Sequence, residues 1–89
     1  MTEETQIKSQ IKDYLRIKNI FFWYNLQGIG AYKGIPDLIA VHKGKTYGIE
    51  VKTPKGKLST WQQAFRLNLE ENGGVYVEAR CLEDIIKLR

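Results

Sequence analysis

Apolar residues recur at helical spacing, then at strand spacing, then at helical spacing again along this 89-residue chain. From Glu3 to about Lys18, Ile7, Ile11, Tyr14 and Leu15 fall on one stripe, which predicts an amphipathic helix with Thr2 as its N-cap. Asn19 ends it, and the bulky run Ile20 to Leu26 predicts a strand buried on at least part of both faces. Glycines at 28, 30 and 34 make 27–34 a flexible loop. Two runs, about Ile35 to His42 and Lys45 to Thr53, flank Lys43-Gly44 and predict a hairpin, with Pro36 confined to a strand start or an edge. Thr53-Pro54-Lys55-Gly56-Lys57 suits neither helix nor strand. Ser59 or Thr60 then caps a second helix reaching about Asn72, with Trp61, Ala64, Phe65 and Leu69 on its buried side and Asn72-Gly73-Gly74 as its stop. Val75 to Ala79 predicts a fourth strand, and Leu82 to Leu88 a short last helix.

The order is thus α-β-β-β-α-β-α in a single domain, 1–89. An antiparallel hairpin followed by a helix-crossed strand implies an α/β fold whose mixed central sheet is flanked by helices. Trp23, Trp61, Phe65 and Tyr76 are expected in the core, Cys81 as a packing residue and His42 at the surface.

The hairpin carries the chemistry. Counting back from a two-residue turn at Lys43-Gly44 sets Asp37 directly opposite Glu50; a bulged three-residue turn would leave the two diagonal. Like charges at about 5 Å and an effective dielectric near 20 repel by about 3 kcal/mol, a large share of a stability of about 5–15 kcal/mol. A shared proton, a neighbouring ammonium or a metal ion must offset it. Lys52 shares the strand face of Glu50 and supplies an ammonium beside the pair.

Composition narrows the choices. One cysteine and one histidine rule out an internal disulfide and a Cys/His zinc site, so any metal is a hard cation held by oxygen, Mg2+ or Mn2+. A net charge of +4 and a pI near 9.3 favour a polyanionic partner, and the lysines gather at the hairpin tip (Lys43, Lys45) and after the second hairpin strand (Lys52, Lys55, Lys57). Neither a membrane-spanning run nor a signal-like N-terminus is present, which predicts a cytoplasmic protein.

Gly34-Ile35-Pro36-Asp37-Leu38-Ile39, Glu50-Val51-Lys52 with Thr53-Pro54-Lys55-Gly56-Lys57-Leu58-Ser59, and Gln62 resemble the PD-(D/E)xK nuclease superfamily, and more narrowly its virus-type replication-repair nuclease domain, VRR-NUC. A bare Asp and Glu-x-Lys pattern is weak; the flanking Gly-x-Pro, the Lys-Thr-Pro-Lys-Gly-Lys continuation and Gln62 make it specific. The resemblance covers nearly the whole chain and implies a restriction-endonuclease-like fold. It implies a Mg2+- or Mn2+-dependent endonuclease that hydrolyses phosphodiester bonds in DNA, with single-domain members found in phages, commonly homodimeric, and some similar to Holliday-junction resolvases. The setting it implies is a bacterial or phage-infected host cell.

By the same resemblance Asp37, Glu50 and the backbone carbonyl of Val51 hold the metal, while Lys52 orients the water and stabilises developing charge. The family's helix-1 glutamate corresponds to Glu4, which lies nearer the centre of the apolar stripe than Glu3; an acid there also suits the helix dipole. Gln62 matches the family's glutamine, yet Ser59-Thr60-Trp61-Gln62 also reads as a capping box. Lys33, Lys55 and Lys57 are candidate contacts to DNA phosphates, with Tyr32 beside Lys33. The alternatives are a non-catalytic DNA-binding module retaining the fold, which leaves the opposed carboxylates without a purpose, and a protein-interaction domain, which leaves the lysines unexplained as well.

Overall fold

The computed structural model describes residues 3–87; Thr2 and Leu88, the expected limits of the first and last helices, lie outside the described residues. The elements are α1 (Glu3–Ile17), β1 (Phe21–Tyr24), β2 (Leu38–His42), β3 (Lys45–Val51), α2 (Thr60–Glu71), β4 (Val75–Ala79) and α3 (Glu83–Ile86). The sheet order is β1-β2-β3-β4, antiparallel except for the β3–β4 pair, which is parallel and joined through α2. This is the mixed, helix-flanked α/β sheet that the hydrophobic pattern implies.

Strand alternation sorts side chains onto two faces. Leu38, Ala40, Ile49, Val51, Val77 and Ala79 meet Ile7, Ile11 and Leu15 of α1 and Ile85 of α3 in one core. On the opposite face Gly48 lets α2 approach: a Cβ there would lie 2.9 Å from Leu69 Cδ2 and 3.2 Å from Pro36 Cγ. Both long helices end in the same way. Asn19 (φ 56) and Gly73 (φ 86) take the left-handed conformation. The next residues then donate back, Ile20 N–H to the Leu15 carbonyl and Gly74 N–H to the Leu69 carbonyl, each at 2.9 Å.

The sequence overstates burial. The β1 pattern is aromatic, but Phe21, Trp23 and Tyr24 are exposed and only Phe22 is half-buried, because β1 is an edge strand and α2 packs at the far side of the sheet, over β4. Trp61 and Ala64 are exposed and Phe65 only partly covered, so α2 has no fully buried residue; Tyr76 is buried as expected. Cys81 is exposed rather than packed, and His42 is half-buried. β2 starts at Leu38 rather than Ile35, since Pro36 has no N–H to give to a ladder, and β3 ends at Val51.

Candidate active site

The turn at Lys43-Gly44 has positive φ at both residues, 51 and 78, as a type I′ hairpin requires. Its two-residue length pairs His42 with Lys45 and, four pairs on, Leu38 with Ile49, so Asp37 and Glu50 follow as neighbours. The bulged alternative is thereby excluded. Both carboxylates are buried, at 7% and 4% exposure. Asn25 N–H donates to the Asp37 carbonyl at 2.8 Å, extending the β1–β2 edge to the residue that needs fixing. Val51 N–H donates to Asp37 Oδ2, also at 2.8 Å, so the β3 backbone orients the acid.

The repulsion is relieved in two ways. Burial first, then the Asp37 charge and a hydrogen bond to Asp37, push the Glu50 carboxyl from 4.5 up to about 8, with Lys52 opposing the rise and Glu4 adding to it. Glu50 therefore keeps its proton at neutral pH. Lys8, on α1, places Nζ 3.3 Å from Asp37 Oδ1 and supplies the counter-charge. Glu50 Oε1 is left buried without a hydrogen-bond partner, as is Tyr76 Oη on the neighbouring strand. Burial, then the Glu50 and Glu78 charges, raise the Tyr76 hydroxyl pKa well above the ordinary phenol range.

The remaining candidates fall at graded distances from this pair. Lys52, half-buried, and Glu4, in the first turn of α1, both act on Glu50 through their charge. Among the described residues no three His, Cys, Asp or Glu side chains converge as a metal-ligand cluster, so Glu4 does not join the two carboxylates in this conformation. Gln62 is occupied by the cap: Ser59 N–H donates to Gln62 Oε1 at 2.8 Å and Gln62 N–H to Ser59 Oγ at 3.1 Å. Lys33 lies over the Trp61 ring, and Lys55 and Lys57 are exposed.

Sequence reasoning does not point to Lys8, and it places Tyr76 in the core without placing its hydroxyl beside the acid pair. Lys8 lies one helical turn after Glu4, on the same side of α1, and a helical wheel centred on Glu4 would have found it. Tyr76 alternates with Val75 and Val77, which places it on the Gly48 and Glu50 side of the sheet.

A buried orphan carboxylate oxygen, an acid hydrogen-bonded beside it and a backbone that fixes that acid make a hard-oxygen donor set that fits a small divalent cation. No helix of the described residues is long and apolar enough to cross a membrane. No curated protein sequence matches the chain at a significant level. A solved VRR-NUC domain structure has the same fold, with a TM-score of 0.82 at 20% identity over 99% of this chain and 95% of that one. The VRR-NUC domain family model matches residues 2–81, so this chain belongs to the VRR-NUC family and is a nuclease-type domain, whose implied partner is DNA.

Proposed function

We propose that this domain is a Mg2+- or Mn2+-dependent deoxyribonuclease that cleaves internal phosphodiester bonds, with a preference for branched DNA such as Holliday junctions. The observation that carries the reading is the buried, partnerless Glu50 Oε1 against Asp37, an arrangement with a folding cost and no structural return. Asp37, Glu50 and the Val51 carbonyl would hold the cation, with Glu4 closing in as a further ligand. When bound, the cation supplies Lewis-acid polarisation of the scissile phosphate and lowers the pKa of water in the site.

The chain's own residues do the rest. Glu50 gives up its proton to become a ligand, and Lys8 releases Asp37. Lys52 orients the attacking water and stabilises charge growing on the phosphate. Gln62 leaves its cap to contact the phosphate, and Lys33, Lys55 and Lys57 hold the flanking backbone. Nothing in the sequence resembles a base-reading motif, which favours recognition of DNA shape over DNA sequence. One such site cuts one strand, so cutting two strands symmetrically calls for a homodimer. The cytoplasm of a bacterial or phage-infected cell supplies such DNA.

The test is cleavage of branched and linear DNA with Mg2+, Mn2+ or EDTA, by the wild type and by Lys52→Ala. Metal-dependent cutting by the wild type and its loss in the variant support the reading. Equal cutting by both proteins, or cutting that survives EDTA, sinks it. DNA binding without cutting by either protein would instead favour the non-catalytic binding module.

A further inference from the structure

Beside Gln62 the surface carries aromatic side chains that the fold leaves uncovered. Trp61 is 56% and Tyr32 66% exposed, yet both stand on fixed backbone. Gly34, at φ +79, comes so close to the first turn of α2 that a Cβ would lie 2.1 Å from the Trp61 carbonyl oxygen. The same loop is tied down where Gln27 Nε2 donates to the Ile35 carbonyl at 3.1 Å and Asn25 Nδ2 to the Pro36 carbonyl at 2.8 Å. Tyr32 meets Phe65 edge-on at 5.8 Å, and Lys33 Nζ sits 4.6 Å from the centroid of the Trp61 ring. Trp61 stands between two shallow hollows of about 300 Å³, one of which reaches Ser59 and Gln62. From Gly34 to Asp37 is at most about 11 Å of extended chain, so the loop that packs under Trp61 runs directly through Asp37 into β2.

An exposed indole on a closely packed backbone, with an ammonium on its face, matches one kind of occupant. An unpaired nucleobase offers a π face to stack on and a phosphate within reach of the ammonium, and each such stack is worth about 1–3 kcal/mol. A base inside a duplex already stacks on its neighbours and presents only edges and backbone. The hollows beside Trp61 also carry the polar side chains of Gln27, Lys33, Ser59, Gln62 and Asn68, which suits a nucleotide better than the apolar centre of a protein interface.

We propose that Trp61, with Tyr32 and Lys33, forms a stacking subsite for an unpaired base of the strand held at Asp37 and Glu50. Lys33 leaves the indole for the phosphate of that nucleotide as the base takes its place. The inference rests on the DNA-nuclease reading and adds the substrate feature read at this surface: a base unpaired beside the cut, as in flaps and single strands, or freed from a paired junction when a base pair at its branch point opens.

Binding of single-stranded oligodeoxythymidylate and of a duplex of equal length, followed by tryptophan emission in EDTA, tests the subsite without requiring cutting. The expected result is quenching by the single strand that disappears in Trp61→Ala, where Trp23 still reports. Affinity of that variant for the single strand should fall about tenfold and for the duplex less than twofold, and Trp61→Phe should recover most of the loss. Trp61 is exposed, so the variant keeps its fold. Equal weakening toward both DNAs, no weakening toward either, or a shift to monomer in Trp61→Ala with single-strand affinity unchanged would overturn the subsite. Failure of the nuclease reading has a different signature: no metal-dependent cutting by the wild type, whatever Trp61→Ala binds.

Discussion

Replacing Glu50 by glutamine keeps the shape of the side chain and removes its titration. In the folded protein the Glu50 carboxyl titrates at about 8 instead of 4.5, from burial first and then the adjacent Asp37. At about 1.36 kcal/mol per pH unit the whole displacement corresponds to about 5 kcal/mol, and relaxation of the protein around the charge, as in an effective dielectric near 20, brings the working figure to about 3 kcal/mol. The Coulomb repulsion of two carboxylates about 5 Å apart has the same size. Because the pKa is raised, the folded protein holds a proton that the unfolded chain gives up above pH 4.5. This contribution is complete below that pH and is lost as pH climbs through about 8. Urea denaturation in EDTA between pH 5 and pH 9 should show wild-type stability falling by about 3 kcal/mol more than that of Glu50→Gln, the variant serving as reference for every other titrating group. Mg2+ at pH 9 should restore the wild type and leave Glu50→Gln nearly unchanged. Parallel pH profiles for the two proteins would refute the reasoning, since Glu50 would then titrate alike in both states.

Cation binding at pH 7 should expel about 0.9 proton per site from Glu50, read by titration calorimetry in buffers of different ionisation enthalpy; a heat independent of buffer would contradict it. Lys8→Met removes the ammonium 3.3 Å from Asp37, and should cost about 1 kcal/mol in EDTA while tightening Mn2+ binding about threefold to tenfold; weaker Mn2+ binding would show that Lys8 assists the cation rather than competing with it. Tyr76→Phe deletes a buried hydroxyl that has no partner, and thermal melts should find it neutral or up to about 1 kcal/mol more stable. A marked loss would reveal a hidden partner. Lys43→Asn suits the left-handed φ of 51 at the turn and should add about 0.5–1 kcal/mol, with an unchanged or lower melting temperature counting against the turn assignment.

What was legible in the sequence depended on how local each cause is. The stripe Ile7, Ile11 and Leu15, the glycine stop at 73 and the two-residue turn at Lys43-Gly44 are short-range patterns, and each gave its element and, for the hairpin, its register. The sequence brings Asp37 and Glu50 together because a type I′ turn transmits its geometry residue by residue along both strands. Burial is not local in this sense. Trp23 and Trp61 have the composition of core residues, and whether a neighbour covers them depends on where α2 crosses the sheet, which no window of sequence contains. For the same reason the capping box at Ser59 and Gln62 was readable in full, whereas the exposure of Trp61 one residue away was not.

The same division explains the site. Opposed carboxylates need compensation, and a shared proton, an ammonium and a metal ion are the available means. Strand alternation puts Lys52 beside Glu50 and makes it the ammonium expected from sequence. Packing α1 across the sheet brings Lys8 into contact with Asp37 instead, and leaves Lys52 acting on Glu50 from within the same strand's face. Two of the three means are therefore present at once, a proton on Glu50 and Lys8 on Asp37. Neither is fixed in place: the proton leaves as pH rises through about 8, and the Lys8 side chain is 32% exposed, so an ion pair reached by solvent from that end is worth about 1 kcal/mol. Held by such weak and exchangeable partners, the pair is tolerated in the folded domain near neutral pH, and in the proposed metal-dependent reading a divalent cation, with its double charge, would replace both. On that reading Lys52, which makes no ion pair with Asp37, is the ammonium among the described residues that entry of a cation would not have to displace.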